Sequence, residues 1–179
     1  MHPRTRLLLV AACLSLAAPA VAAVWTNVGP GGGNVNIVTV DPVNPNNVYI
    51  VAALRAFKST DAGLSWTPIE HPTGQLLLGE FVIDPSNPST IYIPGAGSSV
   101  VKSTDGGATL TVHPMGIFPS GALAMDPTNP QHLWAAGYDT GKSAVAQSTD
   151  GGLTWTHVLM PGNVTSSLTV LAVDPLAPA

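Results

Sequence analysis

The chain has 179 residues, of which 45% are hydrophobic and only 9% charged, against roughly 25% charged in an ordinary soluble domain. Six Lys+Arg against ten Asp+Glu leave a net charge of −4, which excludes a basic nucleic-acid footprint, and the high apolar content excludes disorder. With Gly 18 and Pro 17, a helical bundle is excluded too, and a turn-rich β chain is expected.

Residues 1–23 read as a secretory leader. Arg4 and Arg6 form its basic end, Leu7–Ala18 its apolar core, and Ala20-Val21-Ala22 a small-residue cleavage site. The apolar run is too short to span a membrane, and no later run reaches spanning length. Val10-Ala11-Ala12-Cys13 offers a rival lipoprotein box. The stretch before Cys13 is short for one, and the residues after it stay apolar, so the ordinary leader is preferred and the product is expected to be secreted or periplasmic. Losing Arg4 and Arg6 takes the net charge from −4 to −6, and losing Cys13 leaves no cysteine for disulfides, thiolate chemistry or metal ligation.

From residue 24 onward the chain repeats. Ser59-Thr60-Asp61-Ala62-Gly63-Leu64-Ser65-Trp66 recurs from Ser103 and from Ser148, placing Asp61, Asp105 and Asp150 at intervals of 44 and 45 residues. An out-of-phase motif, Asp41-Pro42-Val43-Asn44-Pro45, recurs from Asp84 and Asp126, with a degenerate copy at Asp174-Pro175. The expected units are 25–65, 66–109 and 110–154, with a broken fourth over 155–179. Each unit holds four short β-favouring runs, in the first case Val35–Val40, Val48–Ala53, Ala56–Thr60 and Trp66–Ile69. No stretch keeps a helical apolar period. Four strands per repeat of this length predict an all-β fold, a β-propeller of four-stranded antiparallel blades with about 3.5 blades present.

Both motifs make sense as turns. The Asp carboxylates accept backbone N–H groups, Gly63, Gly107 and Gly152 supply positive φ, and Trp66 and Trp155 restart a strand with an indole to place between blades. The Asp-Pro runs fix φ and withhold donors, ending one strand and delaying the next. Regular recurrence assigns these aspartates to structure, because one catalytic site does not repeat every 44 residues. Glu70, Glu80 and Asp139 stand outside the repeats.

These eight-residue patterns resemble the Asp-box, or BNR, repeats of sialidase-like propellers, a group that also contains xyloglucan-active glycosidases, sortilin-type receptors and photosystem assembly factors of the Ycf48/HCF136 type. The resemblance covers the chain from Trp25 onward and implies a fold more than an activity. Sialidases clamp a substrate carboxylate with three arginines, whereas only Arg55 remains after the leader. Trp25-Thr26-Asn27-Val28, Gly31-Gly32-Gly33 and Tyr49 resemble the start of the xyloglucanase family. Where that family carries its first catalytic carboxylate, this chain has Ala52, Ala53 and Leu54. A glycosidase needs a pair of carboxylates across the bond, so no catalytic residue is assigned.

In a meander, the Asp-Pro and Ser-Thr-Asp turns share one face, leaving the hairpins near 53–56, 94–99 and 138–143 and the inter-unit connections on the other. The non-repeated polar residues of that second face, Arg55, Glu70, His71, Tyr138, Asp139 and Lys142, are the candidate ligand contacts, although each alone is expected to be a solvated loop side chain. The expected partner is a protein or a glycan, with no cofactor and no metal. Calcium-loop spacing is absent, and His71, His113, His132 and His157 lack zinc spacing. Gly137–Ser143 is one residue short of a phosphate loop, and Gly31–Gly33 opens no helix. Asn163-Val164-Thr165 is a glycosylation acceptor only in a eukaryotic secretory route. The chain stops inside a repeat, which predicts either a longer gene product or a ring completed by a second copy through an open edge. The reading is a binding or assembly module without catalysis of its own, the alternative a xyloglucanase-like glycoside hydrolase fragment with its carboxylates elsewhere.

Overall fold

The structure, a computed structural model, describes residues 29–30, 34–77, 79–161, 165–166, 168 and 170–174. The leader expected at 1–23, Trp25, Gly31–Gly33, Asn163 and Pro175 lie outside the described residues. Among the described residues every regular element is a strand. The first blade is β1 (Val35–Val40), β2 (Val48–Ala52), β3 (Arg55–Ser59) and β4 (Thr67–Ile69). The second is β5 (Val82–Ile83), β6 (Ile91–Gly95), β7 (Ser99–Ser103) and β8 (Thr111–Pro114). The third is β9 (Phe118–Met125), β10 (Leu133–Asp139), β11 (Lys142–Ser148) and β12 (Thr156–Leu159).

Each blade is an antiparallel meander in which every strand pairs with its sequence neighbour. The third expected run starts one residue early, because Ala52 pairs with Arg55 and the hairpin closes through Ala53 and Leu54 alone. Both have positive φ, 50° and 62°, as a two-residue turn of type I′ requires. The hairpin of the third blade closes likewise through Thr140 and Gly141.

The connecting turns use side-chain oxygens in place of backbone partners. Asp61 Oδ1 accepts the Ser65 N–H at 2.8 Å, and Oδ2 accepts the Ser65 hydroxyl at 2.6 Å. Asp105 with Thr109 and Asp150 with Thr154 repeat the arrangement. Ser59 Oγ donates to Asp61 Oδ1 and accepts the Gly63 N–H at 2.8 Å, joining both ends of the turn. Asp41, Asp84 and Asp126 are buried, and each accepts the N–H groups two and three residues ahead.

Two apolar cores lie between the blades. Tyr49, Val51 and Ile69 of the first pack against Phe81, Ile83, Ile91 and Ile93 of the second. Tyr92 and Val100 of the second pack with Met115, Ile117, Leu123 and Leu133 at the third. Each side chain fully buried in this way contributes roughly 1.5–3 kcal/mol.

A cross-strand pair adds a polar clasp to both cores. Tyr49 faces Lys58 across β2 and β3, and Tyr92 faces Lys102 across β6 and β7. Lys58 Nζ donates to the Gly106 carbonyl of the next blade at 2.9 Å, and Lys102 Nζ donates to that of Gly151 at 2.9 Å. Tyr92 donates its hydroxyl to the same Gly151 oxygen at 3.0 Å. Each ammonium also lies over its tyrosine ring, 5.4 Å and 5.3 Å from the centroid. The carbonyl is presented by two consecutive residues of positive φ, Gly106-Gly107 and Gly151-Gly152.

Candidate functional site

The three hairpins open on the side of the molecule opposite the Ser-Thr-Asp turns, since successive strands are antiparallel. At the first hairpin, Leu54, Arg55, Glu70, His71, Gln75 and Leu77 line a cleft of about 110 Å³. Arg55 opens β3 and is exposed, and Glu70, also exposed, directly follows β4. The pairing of Ala56 with Ile69 brings the two charged residues to neighbouring strand ends. Three of the six candidate contacts, Arg55, Glu70 and His71, are thus brought together.

His71 is not a solvated loop side chain. It is only 6% exposed, and burial pushes its imidazole below the ordinary value of 6.5. Thr73 donates its backbone N–H to His71 Nδ1 at 3.2 Å, and the Thr73 hydroxyl sits 3.1 Å from the same nitrogen. The neutral ring therefore carries its proton on Nε2. That atom is buried and has no hydrogen-bond partner among the described residues. It packs close to Gly95 of the second blade, where an added Cβ would lie 3.6 Å away. His71 thus holds the floor of the cleft against the next blade, while Arg55, Glu70 and Gln75 supply exposed polar groups.

Tyr138, Asp139 and Lys142 belong to another place, the hairpin of the third blade. Asp139 and Lys142 are directly paired across it. Asp139 Oδ2 lies 3.2 Å from His157 Nε2 on β12, and the exposed Phe118 pairs with Tyr138 from β9. The six candidates therefore form two groups on one face, one at each end of the described blades. The sequence did not single out Gln75, Phe118 or His157 as contacts. Gln75 lies in an inter-unit connection and Phe118 at the first position of β9, neither of which is written in the repeat.

Among the described residues, no group of three or more His, Cys, Asp or Glu side chains could hold a metal ion. No helix there is long and apolar enough to cross a membrane.

No protein-family description matches the chain, and no curated protein does. Solved structures do. An ancestral GH74 enzyme superposes with a TM-score of 0.69 at 24% identity, over 86% of this chain and 22% of that one. The GH74 enzyme of Niastella koreensis does so with a TM-score of 0.64 at 24% identity, over 78% of this chain and 24% of its own. YCF48 bound to D1 peptide gives 0.56 at 14% identity, over 75% of this chain and 42% of its own. The chain thus spans about a quarter of the GH74 structures and less than half of YCF48. The fold they share is the β-propeller, of which this chain contributes three successive blades.

Proposed function

We propose that the chain is a secreted or periplasmic Asp-box propeller module that binds a protein or glycan ligand on its hairpin face and does not itself catalyse a reaction. The observation that supports this is the cleft at the first hairpin. Arg55, Glu70 and Gln75 offer donors and acceptors over the buried His71, and among the described residues that line the cleft Glu70 is the one carboxylate. One carboxylate suits recognition, whereas glycoside hydrolysis needs two on opposite sides of the bond. A propeller of similar fold that holds a peptide, YCF48 with D1 peptide, is in keeping with a protein ligand.

The test is binding of the purified chain to peptide arrays and to xyloglucan oligosaccharides, with Arg55→Ala and Glu70→Ala alongside. The expected result is retention of one ligand class, weakened about tenfold by Arg55→Ala, the weight of one charge-assisted contact. Absence of binding, or binding indifferent to both substitutions, overturns the assignment.

A second reading, a piece of a xyloglucanase-like glycoside hydrolase, is favoured by one feature. Leu54, in the turn where the resemblance implies a family carboxylate, lines this same cleft. Under this reading the carboxylates come from segments outside the chain, and release of reducing ends from xyloglucan requires those segments to be present.

A further inference from the structure

Leu54 sits where hairpin chemistry disfavours it. It is the second residue of the turn between β2 and β3, at a φ of 62°, directly after Ala53 at 50°. Such turns favour Asn and Gly, and a bulky side chain in the left-handed region is an outlier. The other two hairpins each place a glycine among their positive-φ residues, Gly97 beside Ser98 and Gly141 beside Thr140. The first carries side chains at both positions, and the larger is left 44% exposed. Backbone strain that gains no burial points to a contact role for the side chain.

Leu76 matches it. It too is 44% exposed, and both leucines line the cleft over His71. The connection that carries Leu76 is tied to both neighbouring hairpins. The Leu77 N–H donates to the Leu54 carbonyl at 3.4 Å, the Ala96 N–H donates to the Leu76 carbonyl at 3.0 Å, and Leu77 bridges to Gly95. The apolar rim is therefore set in place before a ligand arrives, which lowers the ordering cost of binding. Arg55 and Glu70, both exposed, stand beside it on neighbouring strand ends, and among the described residues no ion pair joins them. One uncompensated charge of each sign thus flanks an apolar hollow. At about 110 Å³ the hollow is well below the roughly 300 Å³ of a small-molecule pocket, so it suits a single side chain. Among the described lining residues, no Trp, Tyr or Phe offers a flat face to a sugar ring.

Building on the binding role proposed for this face, we infer that the cleft receives an extended segment of another protein. One aliphatic side chain of that segment seats between Leu54 and Leu76, with an acidic residue on one side of it meeting Arg55 and a basic residue on the other meeting Glu70. Apolar contact inside a polar rim supplies the anchor, and the two charges set the direction in which the segment lies.

The probe is an array of capped decapeptides in which Asp and Lys, in either order, flank one varied central residue, read with the full chain beside immobilised xyloglucan oligosaccharides. Central Leu or Ile is expected to be retained about tenfold better than central Ser. One order of Asp and Lys is expected to be preferred about threefold over the reverse. Leu54→Asn should weaken retention of the central-Leu peptide about tenfold. Because Asn accepts the left-handed turn, the same variant should melt at a higher temperature than the wild type. Leu76→Ser, outside the strained turn, should weaken retention alike and so separates the contact from any disturbance of the hairpin. Retention that ignores the central residue, or that survives both substitutions, overturns the inference. Binding of the oligosaccharides alone overturns it as well but leaves the binding role standing, whereas a chain that retains neither class overturns both.

Discussion

Lys58 donates to the Gly106 carbonyl across the boundary between the first and second blades, at 2.9 Å. The contact joins residues 48 positions apart, and its repetition by Lys102 and Gly151 makes it part of the repeat. Replacing either lysine by methionine keeps the stem and removes the charge-assisted bond. Each variant is expected to lose about 1.5–3 kcal/mol, with Lys58→Met the costlier, since the Gly151 carbonyl released by Lys102→Met still receives the Tyr92 hydroxyl. Urea unfolding midpoints measure the loss, and unchanged midpoints would show that the clasp carries no stability.

Acid should weaken the fold through its turns. Hydrogen bonds from Ser65, Thr109 and Thr154 draw Asp61, Asp105 and Asp150 down from the ordinary 3.8 to about 2. A carboxylate with a depressed folded value stabilises above its unfolded value and loses that contribution as pH falls through the folded one. Thermal midpoints should therefore fall between pH 4 and pH 2, and an Asp61→Asn, Asp105→Asn, Asp150→Asn triple variant should start lower and show a flatter slope. An equal slope in the variant would assign acid sensitivity to other groups.

His71 predicts a second pH effect at a higher range. Burial lowers its folded value beneath the 6.5 of the free side chain, so the unfolded state takes up a proton first. Stability should decline as pH drops below about 6.5 and stop declining once the folded ring is protonated as well. His71→Asn retains an acceptor for the Thr73 N–H and removes the titration. Its melting temperature should be lower at pH 8 and depend less on pH across that window than the wild type's, the remaining slope coming from His113, whose imidazole burial also pushes down. A wild-type-like slope in His71→Asn would contradict the assignment.

Gly137→Ala tests the packing between β9 and β10. A Cβ there would lie 2.1 Å from the Phe118 carbonyl oxygen, and the ladder already shifts register between Ala135 and Gly137. The backbone must move to admit a methyl group, an overpacking cost of about 1–3 kcal/mol. Gly141→Ala meets no atom within 4 Å and pays only for its φ of 79°, so it serves as the milder control in the same chemical melts.

The four-stranded repeats were legible because strand signals alternate with Pro, Gly and Asp turns at a fixed period, and local turn chemistry needs no long-range information. The clasp was not legible, although Tyr49, Tyr92, Lys58 and Lys102 stand at constant offsets from the two motifs. A lysine before Ser-Thr-Asp looks like a solvated strand residue until the next blade presents its carbonyl. The candidate site was half legible. Departure from the repeat marked Arg55, Glu70 and His71 only as three of six candidates; their gathering at one hairpin, and the inward turn of His71 that follows from the Thr73 bond and the bare backbone of Gly95, are encoded in no periodicity.

The most direct test of the binding-module account is hydrogen–deuterium exchange of the full chain, free and with the ligand selected on the arrays. The account predicts protection confined to the hairpin face, strongest over 53–56 and 70–77 around the Arg55–Glu70–His71 cleft. Protection centred on the Ser-Thr-Asp turns, 60–66 and 104–109, would place the ligand on the opposite face and contradict it.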